Sequence, residues 1–189
     1  PGAGNWEFPT SWSPDGKWIA FPAKDENGRW DVYWTNISGG KPTRVTDEHA
    51  WTIQTCDISP DLSQIAFDPQ NDERDWISKV KVVASQGGRS RTLSDTGTGP
   101  KWRPDGTRVG YIRRGRIGVS VLPSASGKLE IWSIRPDGTD NGLELIDTVT
   151  TLGPNAFCWS PDGGSITWIR NYPEGYGEVH SLPPLYSSL

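Results

Sequence analysis

The 189-residue chain contains no methionine, two cysteines, two histidines and four phenylalanines. With only Cys56 and Cys158, set at different offsets in separate repeats, neither a disulfide framework nor a thiolate metal site is expected. Both are read as small buried thiols. His49 and His180 are the only histidines, and neither stands near a nucleophile motif, which leaves little for a Ser-His-Asp triad. No Gly-x-Ser-x-Gly elbow occurs, since residues 118–122 lack the second glycine. Apolar runs fall well short of the ~20 residues of a membrane-spanning helix. A basic excess is also missing: 19 Lys and Arg against 23 Asp and Glu give a net charge of −4, which argues against a general nucleic-acid surface. Helical periodicity is scarce, and no glycine-rich phosphate loop precedes a helix. The start at Pro1 without a leader-like run suggests a mature or excised segment.

What the chain does have is tryptophan, 11 of them, with 22 glycines and 16 prolines, arranged in a repeat. SWSPDGKWIAF (11–21), DISPDLSQIAF (57–67), KWRPDGTRVGY (101–111) and CWSPDGGSITW (158–168) align on Pro14, Pro60, Pro104 and Pro161. Two residues before the proline stand Trp12, Ile58, Trp102 and Trp159. Five after stand Ile19, Ile65, Val109 and Ile166, and seven after stand Phe21, Phe67, Tyr111 and Trp168. The step of two is a strand period, so one strand face is apolar, and the Trp at these positions are expected to be core. Pro-Asp-Gly presets a tight turn whose glycine takes the left-handed conformation. Leu62 replaces that glycine in the second copy, so its turn must be strained or of another type.

The prolines are 46, 44 and 57 residues apart. A second hairpin signal follows each of the first three copies, at 31–46, 79–94 and 130–146. The expected unit is therefore four antiparallel strands, a to d, repeated at a spacing that fits propeller blades. The chain is read as all-β, a β-propeller segment over 1–189. Blade 1 covers about 6–46, blade 2 about 51–94, blade 3 about 98–148 and blade 4 about 154–189, with the outer strand of the last missing. An unclosed array leaves apolar faces exposed, so a larger or assembled ring is expected.

The recurring Ser-Pro-Asp-Gly followed by Ile-Ala-Phe resembles the WD40-like propeller repeat of the TolB type, PD40. That resemblance implies an interaction scaffold with a protein partner, in the periplasm or outside the cell. It equally implies, as an alternative, the propeller domain of a prolyl oligopeptidase-like hydrolase whose catalytic domain lies elsewhere. A self-associating extracellular subunit, joined through incomplete end blades, is the third reading. As it stands the chain is not expected to be an enzyme.

Binding is expected on the face that carries the b–c and d–a loops, because those loops are variable and rich in polar chemistry. Three groups stand out there. Trp30, Trp51, Trp76, Tyr172 and Tyr176 offer aromatic surface for a partner or a sugar face. Asp25, Glu26, Asp47, Glu48, Asp72, Glu73 and Asp75 offer oxygens for Ca²⁺, without the spacing of a dedicated calcium loop, so no cofactor or metal is assigned. Arg103, Arg108, Arg113, Arg114 and Arg116 with Lys101 form the densest positive stretch, on and beside the long loop 113–128, and suit a docking role.

Overall fold

The computed structural model describes residues 11–72, 78–114, 127–149, 157–171 and 177–184. They form four antiparallel sheets in chain order. The first holds β1 (Ser11–Trp12), β2 (Trp18–Lys24), β3 (Trp30–Asn36) and β4 (Thr43–Arg44). The second holds β5 (Thr52–Ile58), β6 (Gln64–Gln70), β7 (Val80–Ala84) and β8 (Arg91–Ser94). The third holds β9 (Thr98–Trp102), β10 (Val109–Arg114), β11 (Gly127–Ile134) and β12 (Gly142–Val149). The fourth, among the described residues, has three strands: β13 (Phe157–Trp159), β14 (Ile166–Asn171) and β15 (Gly177–Leu182). Each sheet pairs its strands in sequence order, as a propeller blade does. Among the described residues no helix is long and apolar enough to cross a membrane.

The Pro-Asp-Gly turns behave alike in all four blades. Gly16, Gly106 and Gly163 have φ of 67°, 72° and 69°, and Leu62 adopts 63° in their place. Leu62 therefore keeps the common turn and carries the backbone strain, while its side chain packs against the core between blades 1 and 2. The turn aspartate explains why this geometry is so repeatable. Asp15 accepts from the Ser13 hydroxyl and the Lys17 amide, Asp61 from Ser59 and the Ser63 amide, and Asp162 from Ser160 and the Gly164 amide. These donors, the serine hydroxyl foremost, hold all three carboxyls below the usual carboxylate range. A depressed folded pKa gives stability that is present above the unfolded pKa and lost as pH falls through the folded one. The melting temperature should therefore fall from about pH 5 to about pH 3, and less steeply in a chain carrying Asp15→Asn, Asp61→Asn and Asp162→Asn. Equal slopes in thermal melts would remove the turns from the acid response.

Stacking uses both faces of each middle sheet. Ile65 and Phe67 of β6 point to blade 1, with Ala20, Val32 and Val45, while Ala66 points to blade 3, with Trp102, Val109 and Tyr111. Ile112 and Ile131 of blade 3 meet Phe157, Trp159, Ile166 and Trp168 of blade 4. Gly110 permits this last contact, because a Cβ there would lie 3.0 Å from Trp159 Nε1 and 3.1 Å from the Phe157 ring. Four blades thus share three buried interfaces.

The two outer faces have no sheet against them among the described residues, and two expectations change as a result. Trp12 holds the same repeat position as the buried Trp102 and Trp159 yet is 57% exposed, because no blade stacks on that side of blade 1. Ile19 and Phe21 are half-buried for the same reason. Cys158 is exposed on the opposite outer face rather than being a second buried thiol, whereas Cys56 is buried and its thiol is pushed well up by burial. Ile169 and Val179 of blade 4 are also exposed.

Carboxylates set between the blades join them. Asp57 Oδ1 accepts from Ser11 Oγ of β1 at 3.0 Å and Oδ2 from the Trp102 amide of β9 at 2.7 Å, so one side chain links three innermost strands. Burial pushes its carboxyl up, against the pull of Lys101 and these donors. Asp68 plays a similar part at the β5 bulge between Ile53 and Cys56.

Candidate functional site

The b–c and d–a loops of blade 1 converge on one acidic rim. Asp25, just past β2, closes the b–c turn, its Oδ1 accepting the amides of Asn27 and Arg29, both at 2.9 Å. The Arg29 amide, helped by the Asn27 amide and the His49 ring, outweighs burial and holds the Asp25 carboxyl below its usual range. That orientation turns Oδ2 toward the d–a loop. Asp31, near the start of β3, is fully buried. Its Oδ1 accepts the Thr46 hydroxyl at 2.7 Å and the Glu48 amide at 2.8 Å, which anchors the d–a loop to the strand. Trp30 and Ala50 exchange backbone hydrogen bonds, carrying His49 across the end of β3 in a left-handed conformation with φ of 47°.

The result is a compact set of acceptors. His49 Nδ1 lies 3.2 Å from Asp25 Oδ2 and 3.9 Å from Asp31 Oδ2, and its Nε2 lies 3.0 Å from Asp47 Oδ1. Arg44 pairs with Asp47 and places Nη1 3.9 Å from Asp31 Oδ2. Asp25, Asp31 and His49 each present one ligand atom, all within 4.8 Å of one another, an arrangement able to hold a metal ion. A shallow groove of about 780 Å³ opens beside them, lined by Asp25, Tyr33, Lys41, Arg44 and His49. Burial, and after it the Asp31 charge, push the Tyr33 hydroxyl up. A neighbouring groove of about 590 Å³ runs from Arg44 to Ser90. There Glu48 reaches across to blade 2, pairing with Lys81 at 2.7 Å and with Ser90.

Among the aromatic residues expected at the rim, Trp30 is half-buried with Lys24 Nζ 5.5 Å from its ring centre, and Trp51 is 47% exposed beside His49. Trp76, Tyr172, Tyr176 and Arg116 lie outside the described residues, and so does the side chain of Arg114, a β10 residue. Arg113 lies over the Trp132 ring at 4.7 Å. The basic stretch is not one open surface. Arg108 is buried, bonded to Ser133 and Asp140 and 3.9 Å from Glu144, so it serves the fold of blade 3 rather than docking. The sequence puts Asp25 and the neighbours of His49, Asp47 and Glu48, on loops of one face, but carries no local signal that joins Asp25 and His49 to each other or to Asp31. The available signal was topological: in a four-stranded blade the b–c loop, the start of strand c and the d–a loop meet at one end.

No known sequence family's profile matches the chain. It is 25% identical over 158 residues to dipeptidyl-peptidase 5 of Porphyromonas endodontalis, a match covering 74% of this chain and 21% of that protein. The structure of TolB from Acinetobacter baumannii superposes with a TM-score of 0.65 at 17% identity, over 93% of this chain and 42% of TolB. The β-propeller domain of the trilobed protease from Pyrococcus furiosus, described as having an open velcro topology, gives a TM-score of 0.60 at 14% identity, over 92% and 54%. The chain thus has a β-propeller fold similar to TolB and to a peptidase propeller domain. It spans about a fifth of the peptidase relative and about half of the two propeller structures.

Proposed function

We propose that the chain is a segment of a TolB-like propeller of the PD40 type, acting as a non-catalytic scaffold for a protein partner in the periplasm or outside the cell. The observation that carries this reading is the contrast between three buried interfaces and two outer faces with no sheet against them among the described residues. Trp12 at 57%, Ile169 at 46% and Val179 at 72% exposure occupy faces whose counterparts within the array are sealed by a neighbouring blade. Further blades of a parent polypeptide seal them in the ring, and the blade 1 rim with the exposed Trp51 remains free for recognition. A thiol placed at position 12 tests this. In a Cys158→Ser background, the Trp12→Cys variant should react with a maleimide in the isolated segment and be protected in the intact parent. Equal labelling in both would discard the larger ring, and protection in the isolated segment at micromolar concentration would mark self-association instead.

The similarity to dipeptidyl-peptidase 5 favours one other reading, in which the segment belongs to the propeller of a peptidase and its rim screens substrates. Release of dipeptides from a chromogenic substrate by the intact parent would select that reading over the scaffold.

A further inference from the structure

We propose that the rim of blade 1 binds one divalent transition-metal ion, with Zn²⁺ the best fit, through Asp25 Oδ2, Asp31 Oδ2 and His49 Nδ1. The decisive observation is the state of Asp31. Its side chain is completely buried, and Oδ2 has no hydrogen-bond partner although Oδ1 has two. Arg44 Nη1 and His49 Nδ1 are both 3.9 Å away, beyond hydrogen-bond reach. A buried carboxylate oxygen left without a donor is costly. A cation at the mouth of the cluster supplies the missing partner.

The geometry suits a metal more than a proton or a water. Each ligand is already fixed from behind: Asp25 by two backbone amides, Asp31 by Thr46 and the Glu48 amide, and His49 by Asp47 on Nε2. Such outer partners orient ligands and raise their basicity. With Nε2 facing Asp47, a cation bound at the cluster selects the tautomer protonated on Nε2, whose Nδ1 lone pair points to the ion. In a tetrahedral zinc site with bonds of about 2.1 Å, ligand atoms stand roughly 3.4 Å apart. The observed 3.2 and 3.9 Å from His49 are close to this, and the two carboxylate oxygens, within 4.8 Å of each other, need to close by at most about 1.4 Å. Three protein ligands leave the fourth position facing the groove, open to water or to a ligand atom of a partner. One imidazole with two carboxylates suits zinc or a neighbouring first-row ion better than Ca²⁺, which takes six to eight oxygens. Arg44 is the present counter-charge, and its side chain is 39% exposed, so it can withdraw as the ion enters.

Titration calorimetry with zinc chloride on the metal-stripped chain tests the site. One equivalent should bind, raising the melting temperature. His49→Asn keeps a residue tolerant of the left-handed backbone, and Asp25→Asn keeps the turn-closing oxygen. Each should weaken binding at least about tenfold with an unchanged circular dichroism spectrum. Arg44→Gln should tighten it by about fivefold or more, because a competing positive charge is removed. A gain of affinity cannot come from misfolding, so this arm holds even if a loss variant is unstable. His180→Asn should leave binding unchanged. The proposal is overturned by no heat at millimolar zinc, by loss through His180→Asn instead of His49→Asn, or by Ca²⁺ binding equally well and indifferent to His49→Asn.

Discussion

Asp68→Ala is expected to lower the unfolding free energy by about 4 kcal/mol, the cost scale of breaking a buried, charge-assisted hydrogen-bond set. Asp68 is fully buried on β6. It stands opposite two residues of the bulged β5, and Oδ1 accepts both of their amides, Gln54 at 3.1 Å and Thr55 at 2.7 Å. Oδ2 crosses to blade 3, accepting the Thr98 hydroxyl at 2.5 Å and the Gly99 amide at 3.0 Å. Alanine strands three backbone amides in the interior at once. Asp68→Asn should lose less. It retains an oxygen for the bulge, but its amide group faces the Thr98 and Gly99 donors. Burial pushes the Asp68 carboxyl up, against these donors, so its own titration adds stability below the unfolded pKa and withdraws it as pH rises through the folded one. The substitution is therefore best compared in urea at a single neutral pH. A loss under about 1 kcal/mol for Asp68→Ala would show that the bulge and the blade contact do not depend on this carboxylate.

The second large effect sets two residues of identical type and repeat position against each other. Trp159→Ala should cost about 3–5 kcal/mol as a large-to-small core change. Trp159 is 9% exposed, packs on the face that Gly110 leaves open, and donates from Nε1 to the Lys101 carbonyl at 3.3 Å. The Arg103 guanidinium lies 5.6 Å over its ring. Trp12→Ala should cost less than about 1 kcal/mol in the isolated segment, since its ring already meets solvent. Chemical denaturation of both variants measures the difference. Similar losses would mean that stacking between blades is not what stabilises the array.

These cases mark how far sequence alone reaches. The repeat, the strands on either side of each Pro-Asp turn and the meeting of the b–c and d–a loops of blade 1 at one rim were legible, because they follow from the strand order of a single repeat. The exposure of Trp12, the burial of Arg108 and the open face at Cys158 were not, because burial depends on whether another sheet lies opposite. The Asp25–Asp31–His49 cluster stayed hidden because Asp25 and His49 are 24 residues apart, and Asp31 read as an ordinary residue at the start of a strand.

By itself the sequence determined the blade. Period-two apolar positions and a turn of preset dihedrals leave the backbone one favoured hairpin, kept at Leu62 in spite of the strain of a side chain in a glycine's conformation. Only the tertiary structure decided what each blade face meets, which carboxylates are drawn into the interior between blades, and which three ligand atoms come together on the rim. Those outcomes depend on contacts between sheets tens of residues apart, where hydrophobic burial and the need to satisfy buried polar atoms act on the assembled array rather than on any single segment.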